Sequence, residues 1–310
     1  MRATGISNGK IILMGEHSVV YGEPAIAIPF LATAIETTIE TTNGPVTLDC
    51  FFYKGPLSTA PERLLNLVTV IVETVKKLNK PLENFDITIT STIPAERGMG
   101  SSAAVAVATI RALFHYFDES LSNSVLLQLT NISETIAHNN PSGLDAAMTS
   151  GQSPLYYIKG QDFQFFPLRV TAYLVVADTG ITSQTKEAVE NIAELYQSAP
   201  RETDLAIKKL GLLANQAKWA IEQDQPIELG TFMTQAHEQL DSLGISNQEL
   251  NHLVHTALDS GAIGAKLTGG GRGGCMIALA KNEDNAIQLS KALLQAGANH
   301  TWIYNMRKDE

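Results

Sequence analysis

The residues of this chain best suited to chemistry are a glycine-serine loop and a few charged side chains set among glycines. The loop, Gly98-Met99-Gly100-Ser101-Ser102-Ala103, runs directly into an apolar helical stretch that continues to Phe117. Small residues let the backbone approach a bulky group, and the helix that follows offers unpaired N–H groups and the positive end of its dipole. Together these make an anion site, with a tight turn into a helix N-cap as the plainer alternative. Because residues 103–114 are apolar nearly all the way round, the helix should be a central buried element, so that a phosphate would rest on a rigid core.

Better-known glycine motifs fail on context. The loop fits the loose dinucleotide fingerprint, but Pro94-Ala95-Glu96-Arg97 separates it from the preceding strand, and Asp118 ends the helix instead of a second strand. Gly9-Lys10 is the only Gly-Lys pair; it has Thr4 where a P-loop needs its first glycine and Ile11 after the lysine. His237-Glu238 does not continue as a zinc-binding HExxH, since position 241 is Asp.

The charged candidates sit in short motifs. Lys10, Glu16 and His17 lie in a strand, glycine break and second apolar piece spanning Gly9 to Gly22, where an unpartnered buried charge would be costly. A solvated hairpin turn is the alternative. Glu134 and His138 share a helix face and could pair on a metal; His138 at the helix C-terminus more simply faces the dipole, leaving Glu134 as the ligand candidate. Asp145 follows Pro141-Ser142-Gly143-Leu144, in a turn where a lone Asp is commonly a backbone cap, and its candidacy depends on its neighbours. From Gly269 to Gly274 every residue is glycine except Arg272, which suggests close backbone approach to a ligand or to other chain. His115, His237, His252 and His255 read as surface or hydrogen-bonded helix residues.

These groups need a scaffold. Residues 24–40 alternate as a strand, with Thr33, Ile35, Thr37 and Ile39 in period two, and Asn43-Gly44-Pro45 reads as a turn. A capping box at Thr59-Ala60-Pro61-Glu62 opens a helix of about five turns that Lys80-Pro81 stops. Strand 86–90 leads into the glycine-serine loop, and residues 122–138 form a further helix. A hairpin at 155–166 and a strand at 173–177 follow, then helices near 184–198, 203–223 and 226–243. A second capping box, Ser246-Asn247-Gln248-Glu249, opens a helix that ends at Gly261. Strands 265–268 and 275–280, a helix over 284–295 and strand 302–304 complete the chain. This order is that of a split βαβ, ferredoxin-like unit with extra helices in its first crossover. The expected domains are residues 1–168 and 169–310.

The totals bound the function. The chain has 310 residues, 44% of them hydrophobic and 17% charged, with a formal charge of −10 that disfavours nucleic acid and anionic membranes. Cys50 and Cys275, the only cysteines, form no metal or disulfide pattern and fit a reducing cytoplasm. No signal peptide is evident, and no apolar run approaches the roughly 20 residues of a membrane span.

Three stretches, Gly9 to Gly22, Pro94 to Ala104 and Lys266 to Gly274, together resemble the motifs of the small-molecule kinase family that includes galactokinase, homoserine kinase, mevalonate kinase and phosphomevalonate kinase. The resemblance runs the length of the chain. Gly15-Glu16-His17-Ser18-Val19-Val20-Tyr21-Gly22 with Pro141-Ser142-Gly143-Leu144-Asp145 is most similar to the short bacterial mevalonate kinases. Galactokinases have Thr-Asp-Tyr after Gly-Glu-His, and phosphomevalonate kinases tend to carry Tyr in place of His17. The resemblance implies an α+β, two-domain small-molecule kinase fold: an N-terminal α/β domain with a phosphate-binding glycine-serine loop, a C-terminal ferredoxin-like domain with extra helices, and the active site in the cleft.

It further implies that Gly98, Gly100, Ser101, Ser102 and Ala103 cradle the ATP phosphates, and that Ser102 and Glu134 hold Mg²⁺. Asp145 would face the substrate hydroxyl with Lys10 beside it. Glu16, His17 and Thr185 would bind the acceptor, mevalonate, whose primary hydroxyl is phosphorylated in isoprenoid synthesis. Members are often homodimers. Another small hydroxyl compound as acceptor, or a catalytically silent ligand sensor on the same fold, are the rival readings. Phosphoryl transfer needs donors for the phosphates, a metal held by a hydroxyl and a carboxylate, a carboxylate at the attacking hydroxyl and a cation. The chain has one candidate for each, and an oxygen donor set suits Mg²⁺.

Overall fold

The computed structural model of the chain describes residues 1–138 and 143–307, the side chain of His138 excepted. The Pro141-Ser142 turn expected ahead of Asp145 lies outside the described residues, as does any contact of His138. The chain packs as two compact units: residues 1–10, 29–95 and 100–152 form the first, and 11–28, 96–99 and 153–310 the second. The boundary expected near 168 therefore falls inside the second unit, which also takes in the Gly15-Glu16-His17 break and the entry to the glycine-serine loop.

The first unit begins with β1 (Arg2–Met14) and β2 (Ala25–Pro45), which cross from one unit to the other along their length. It continues with β3 (Thr47–Cys50), β4 (Tyr53–Pro56), α1 (Leu65–Lys77), β5 (Glu83–Ser91), α2 (Ser101–Tyr116), α3 (Asn123–His138) and α4 (Leu144–Ser150). Its sheet runs β4-β3-β5-β2, with β1 on β2; β2 and β5 are antiparallel, with Thr37 opposite Ile89, whereas β3 and β5 are parallel. The period-two residues Thr33, Ile35, Thr37 and Ile39 are all buried. Helix α2 is buried along most of its surface and packs on α1, α3 and α4, the central placement its uniformly apolar sequence requires.

Asn43-Gly44-Pro45 forms the last residues of β2, with a register shift between Thr41 and Pro45 against β5, and the chain turns back here: β2 runs antiparallel to β5 and β3, from Thr47, runs parallel to it. Other local expectations are corrected. The first capping box does not form: Thr59 Oγ1 bonds the Pro56 carbonyl and the Tyr53 hydroxyl, and α1 starts only at Leu65, after two short 3₁₀ turns. Asp145 belongs to the first turn of α4 and is no isolated loop residue.

The second unit holds β6 (Leu155–Tyr157), β7 (Gln164–Phe165), β8 (Arg169–Asp178), α5 (Thr185–Ser198), α6 (Pro200–Glu222), α7 (Pro226–Ser242), α8 (Gln248–Asp259), β9 (Gly264–Thr268), β10 (Cys275–Ala280), α9 (Glu283–Gln295) and β11 (His300–Arg307). The hairpin β6-β7 pairs with the first residues of β2. The main sheet has the order β11-β8-β10-β9 with antiparallel neighbours, and α8 and α9 pack on it. That is the ferredoxin-like arrangement, with α5 to α7 inserted ahead of α8. Asn247, and not Ser246, caps α8, its side chain accepting from Leu250 N–H at 2.9 Å.

Candidate active site

In the first unit, hydrogen bonds set the register of β1 against α4. Ser7 Oγ donates to the Thr149 carbonyl at 2.8 Å and Asn8 Nδ2 to the Met148 carbonyl at 3.0 Å. Arg111 of α2 donates to the carbonyls of Ile6 and Ser150 at 2.6 and 2.8 Å, tying the same two elements to the central helix. This fixes Lys10, whose Nζ lies 3.2 Å from Asp145 Oδ1. The lysine side chain is 6% exposed and the aspartate 31%, so the pair has a shielded cation and a carboxylate that solvent or a substrate can reach.

The glycine-serine loop meets this pair at Gly100, which caps α2 with φ of 72°. A Cβ there would lie 2.8 Å from Lys10 Cγ and 3.3 Å from Thr149 Cγ2, so both the left-handed backbone and the close approach of the lysine stem demand glycine. Ser101 and Ser102 open the helix, half-buried, with the N–H groups of its first turn beside them. Asn66 of α1 donates to Ser102 Oγ at 3.1 Å and to Ser133 Oγ at 3.4 Å, which brings the loop hydroxyl toward the α3 segment that carries Glu134. Glu134 is 3% exposed, so it is no surface helix residue.

Among the described residues, no group of three or more His, Cys, Asp or Glu converges as a metal cluster. A hydroxyl and one buried carboxylate nevertheless fit Mg²⁺, which commonly takes only one or two protein carboxylates and completes its shell with water and phosphate oxygens.

The second unit carries the other candidates. Glu16 is fully buried and its carboxylate is ion-paired with Lys266 of β9, itself fully buried and also donating to the Leu267 carbonyl at 2.7 Å. Burial lowers the Lys266 pKa, and the Glu16 charge opposes that shift. His17 sits at φ of 60°, is 7% exposed, and has Nε2 3.0 Å from the Gly270 carbonyl. Its pKa is lowered to about 4, first by burial; the bond to Gly270 works against the shift, and the charges of Arg272 and Lys266 add to it. A neutral ring bonded to a carbonyl must carry its proton on Nε2, which leaves Nδ1 as an acceptor.

Gly270 also abuts Thr185, since a Cβ on this glycine would collide with Thr185 Oγ1. His17, the glycine turn and Thr185 are thus neighbours, with Thr185 exposed at the start of α5. Arg272 is held: its Nε donates to the Gly244 carbonyl at 3.0 Å and its N–H to the Ile245 carbonyl at 2.8 Å. The turn is therefore no loose hairpin tip.

His237, expected at a polar helix position, is buried, and accepts at Nδ1 from Leu267 N–H at 3.3 Å while Nε2 donates to Asn251 Oδ1 at 3.1 Å. Residues that sequence reading passed over are Lys266, Asn66, Arg97 and Asp178. A single lysine inside an otherwise apolar strand was the available signal for Lys266; Asn66 carried none.

The family model described as GHMP kinases N terminal domain matches residues 66–152, and that described as GHMP kinases C terminal matches 217–299. The mevalonate kinase of Thermococcus sibiricus is 35% identical over 309 residues, covering 93% of this chain and 92% of that protein. Among solved structures, the mevalonate kinase of methicillin-resistant Staphylococcus aureus is 36% identical with a TM-score of 0.75, covering 98% of this chain and 99% of that one. The L. major mevalonate kinase in complex with R-mevalonate has a TM-score of 0.83 at 26% identity, covering 97% and 94%. With both its N-terminal and C-terminal parts matched in this way, and relatives aligned over nine-tenths of its length, the chain belongs to the GHMP kinase family.

Proposed function

We propose that this chain transfers the γ-phosphoryl group of ATP to the primary hydroxyl of mevalonate, giving 5-phosphomevalonate and ADP. The observation that carries the chemistry is the Lys10–Asp145 pair at 3.2 Å, set against Gly100 of the glycine-serine loop. What favours mevalonate as the acceptor is the 35% identity to a mevalonate kinase along nearly the whole chain.

The residues have separable tasks. Backbone N–H groups of Gly98 to Ala103 and the α2 N-terminus bind the ATP phosphates. Ser102 and Glu134 hold Mg²⁺, which when bound neutralises charge on the phosphate oxygens. Asp145 acts at the attacking hydroxyl, either taking its proton or orienting it, and Lys10 stabilises the oxyanion that develops there while keeping Asp145 ionised. Because the transition state is loose, alignment of the hydroxyl matters at least as much as basicity.

The acceptor's polar groups are assigned to Glu16, His17 and Thr185. His17 Nδ1 is suited to accept a hydrogen bond from a hydroxyl, and the adjacent Glu16 is ion-paired with Lys266, holding the glycine break from which His17 projects. The same proposal makes the first unit, which holds Lys10, Ser102, Glu134 and Asp145, the part that handles metal and phosphoryl transfer, and the second unit the ferredoxin-like part. It also describes a cytoplasmic enzyme with no nucleic-acid or membrane partner, similar to kinases that are often homodimers. The charge of −10 supports both exclusions, and no helix among the described residues is long and apolar enough to cross a membrane.

ADP release with MgATP and a panel of mevalonate, phosphomevalonate, galactose and homoserine tests the assignment. Turnover is expected with mevalonate alone. Turnover only with another member of the panel would overturn it.

A further inference from the structure

We propose that Arg97 is a positioning residue for nucleotide binding, acting through the glycine-serine loop, an inference that rests on reading that loop as the phosphate site. Arg97 immediately precedes Gly98, and its guanidinium makes three directed contacts on one short segment. Nε donates to Asp178 Oδ1 at 2.9 Å, Nη1 to Thr182 Oγ1 at 3.0 Å, and Nη2 to the Gly180 carbonyl at 2.8 Å. Asp178 Oδ1 also accepts from Gly180 N–H at 2.9 Å, and its side chain is 2% exposed. A planar fork with fixed donor directions sets position and orientation together, which a lysine cannot do.

The fork holds a tight contact in register. A Cβ on Gly98 would lie 3.4 Å from Gly269 Cα, and one on Gly269 would lie 3.3 Å from Gly98 Cα, so the loop entry and the glycine turn touch backbone to backbone. Gly274 packs against the Arg97 carbonyl in the same way, and Ser183 N–H donates to the Glu96 carbonyl at 3.0 Å. Gly98 and Met99 follow Arg97 directly within the same unit and carry the first N–H groups of the loop, so drift at Arg97 displaces them. The segment carrying Thr185 has a separate anchor, because Gln184 N–H and Ser183 Oγ both donate to the Gly271 carbonyl, at 3.2 and 3.1 Å. Loss of Arg97 therefore weighs on nucleotide and spares the acceptor.

The experiment compares Arg97→Met, Arg97→Lys and Thr182→Val with wild type, measuring the KM for MgATP and for mevalonate and the calorimetric Kd for MgADP. Loss of charge-assisted contacts predicts a rise of about tenfold or more in KM for MgATP and Kd for MgADP in Arg97→Met. The mevalonate KM should stay within about twofold, and Arg97→Lys should recover part of the loss. Should Arg97→Met fail to fold, Thr182→Val, which removes one acceptor, still predicts a rise of about two- to threefold in the nucleotide constants. Nucleotide constants within about twofold of wild type in a folded Arg97→Met, or equal rises for both substrates, would overturn the inference. Ser102→Ala separates this from failure of the site reading: it weakens MgADP if the loop hydroxyl meets the nucleotide's metal and leaves the Kd unchanged if the nucleotide binds elsewhere.

Discussion

Lys10 and Asp145 are far apart in sequence, and nothing in either local stretch says that they touch. Their types and flanking glycines were readable, but the 3.2 Å pairing depends on bonds from Ser7 and Asn8 to the last turn of α4, which no sequence period encodes. Arg97 was hidden for the same reason, since it bonds Asp178 at the end of β8 and Gly180 and Thr182 just after it. The Thr185 assignment gains support from the contrast with Thr182: the first abuts Gly270, whereas the hydroxyl of the second is taken by Arg97. At this scale the sharpest prediction concerns Asp145→Asn, which keeps the shape and removes the charge. A general base typically contributes about 10²–10⁴-fold, so kcat should fall by at least about 10²-fold while MgATP still binds. A variant within about tenfold of wild type would leave Asp145 as a helix N-terminal residue with no catalytic part.

The elements were legible where one periodicity dominated. α2 is apolar nearly all round and buried along most of its surface, and β2 buries Thr33, Ile35, Thr37 and Ile39 as their period requires. Reading failed where a side chain found a tertiary partner that outcompeted its local role: Thr59 bonds Tyr53 and Pro56 and leaves α1 uncapped, and Ser246 bonds Asn251 and leaves the cap to Asn247. β9 gives the clearest energetic test, because its Lys266 is fully buried against Glu16. Lys266→Met removes the fully buried ion-pair partner of a buried carboxylate and should destabilise the protein by about 3–5 kcal/mol, less any share that other Glu16 contacts retain. Adding Glu16→Gln should restore part of that loss, since no uncompensated charge then remains. Urea unfolding of the single and double variants measures both; equal midpoints for wild type and Lys266→Met would show that the pair contributes nothing to stability.

Over the whole molecule, the chain passes between its two compact units after Lys10, Ile28, Ala95, Met99 and Gln152, several of these points adjoining candidate site residues. No sequence-continuous division would place Glu16 and His17 with the ferredoxin-like sheet, which is why that grouping was not readable. Two buried histidines in that unit shape the pH dependence. His17 and His237 are both lowered from 6.5 to about 4, chiefly by burial. Each is neutral when folded, so between those values the unfolded chain binds more protons and stability rises with pH. The urea midpoint should therefore fall as pH drops from about 6.5 toward 4, and should fall less in His237→Gln. Parallel falls in both proteins would assign the effect to other groups. The central claim, phosphoryl transfer to the primary hydroxyl, is tested most directly by phosphorus NMR of the product formed from MgATP and mevalonate. The account predicts a new phosphomonoester resonance coupled to two methylene protons, appearing together with ADP; ADP with inorganic phosphate alone, or a phosphate on the tertiary hydroxyl with no methylene coupling, would contradict it.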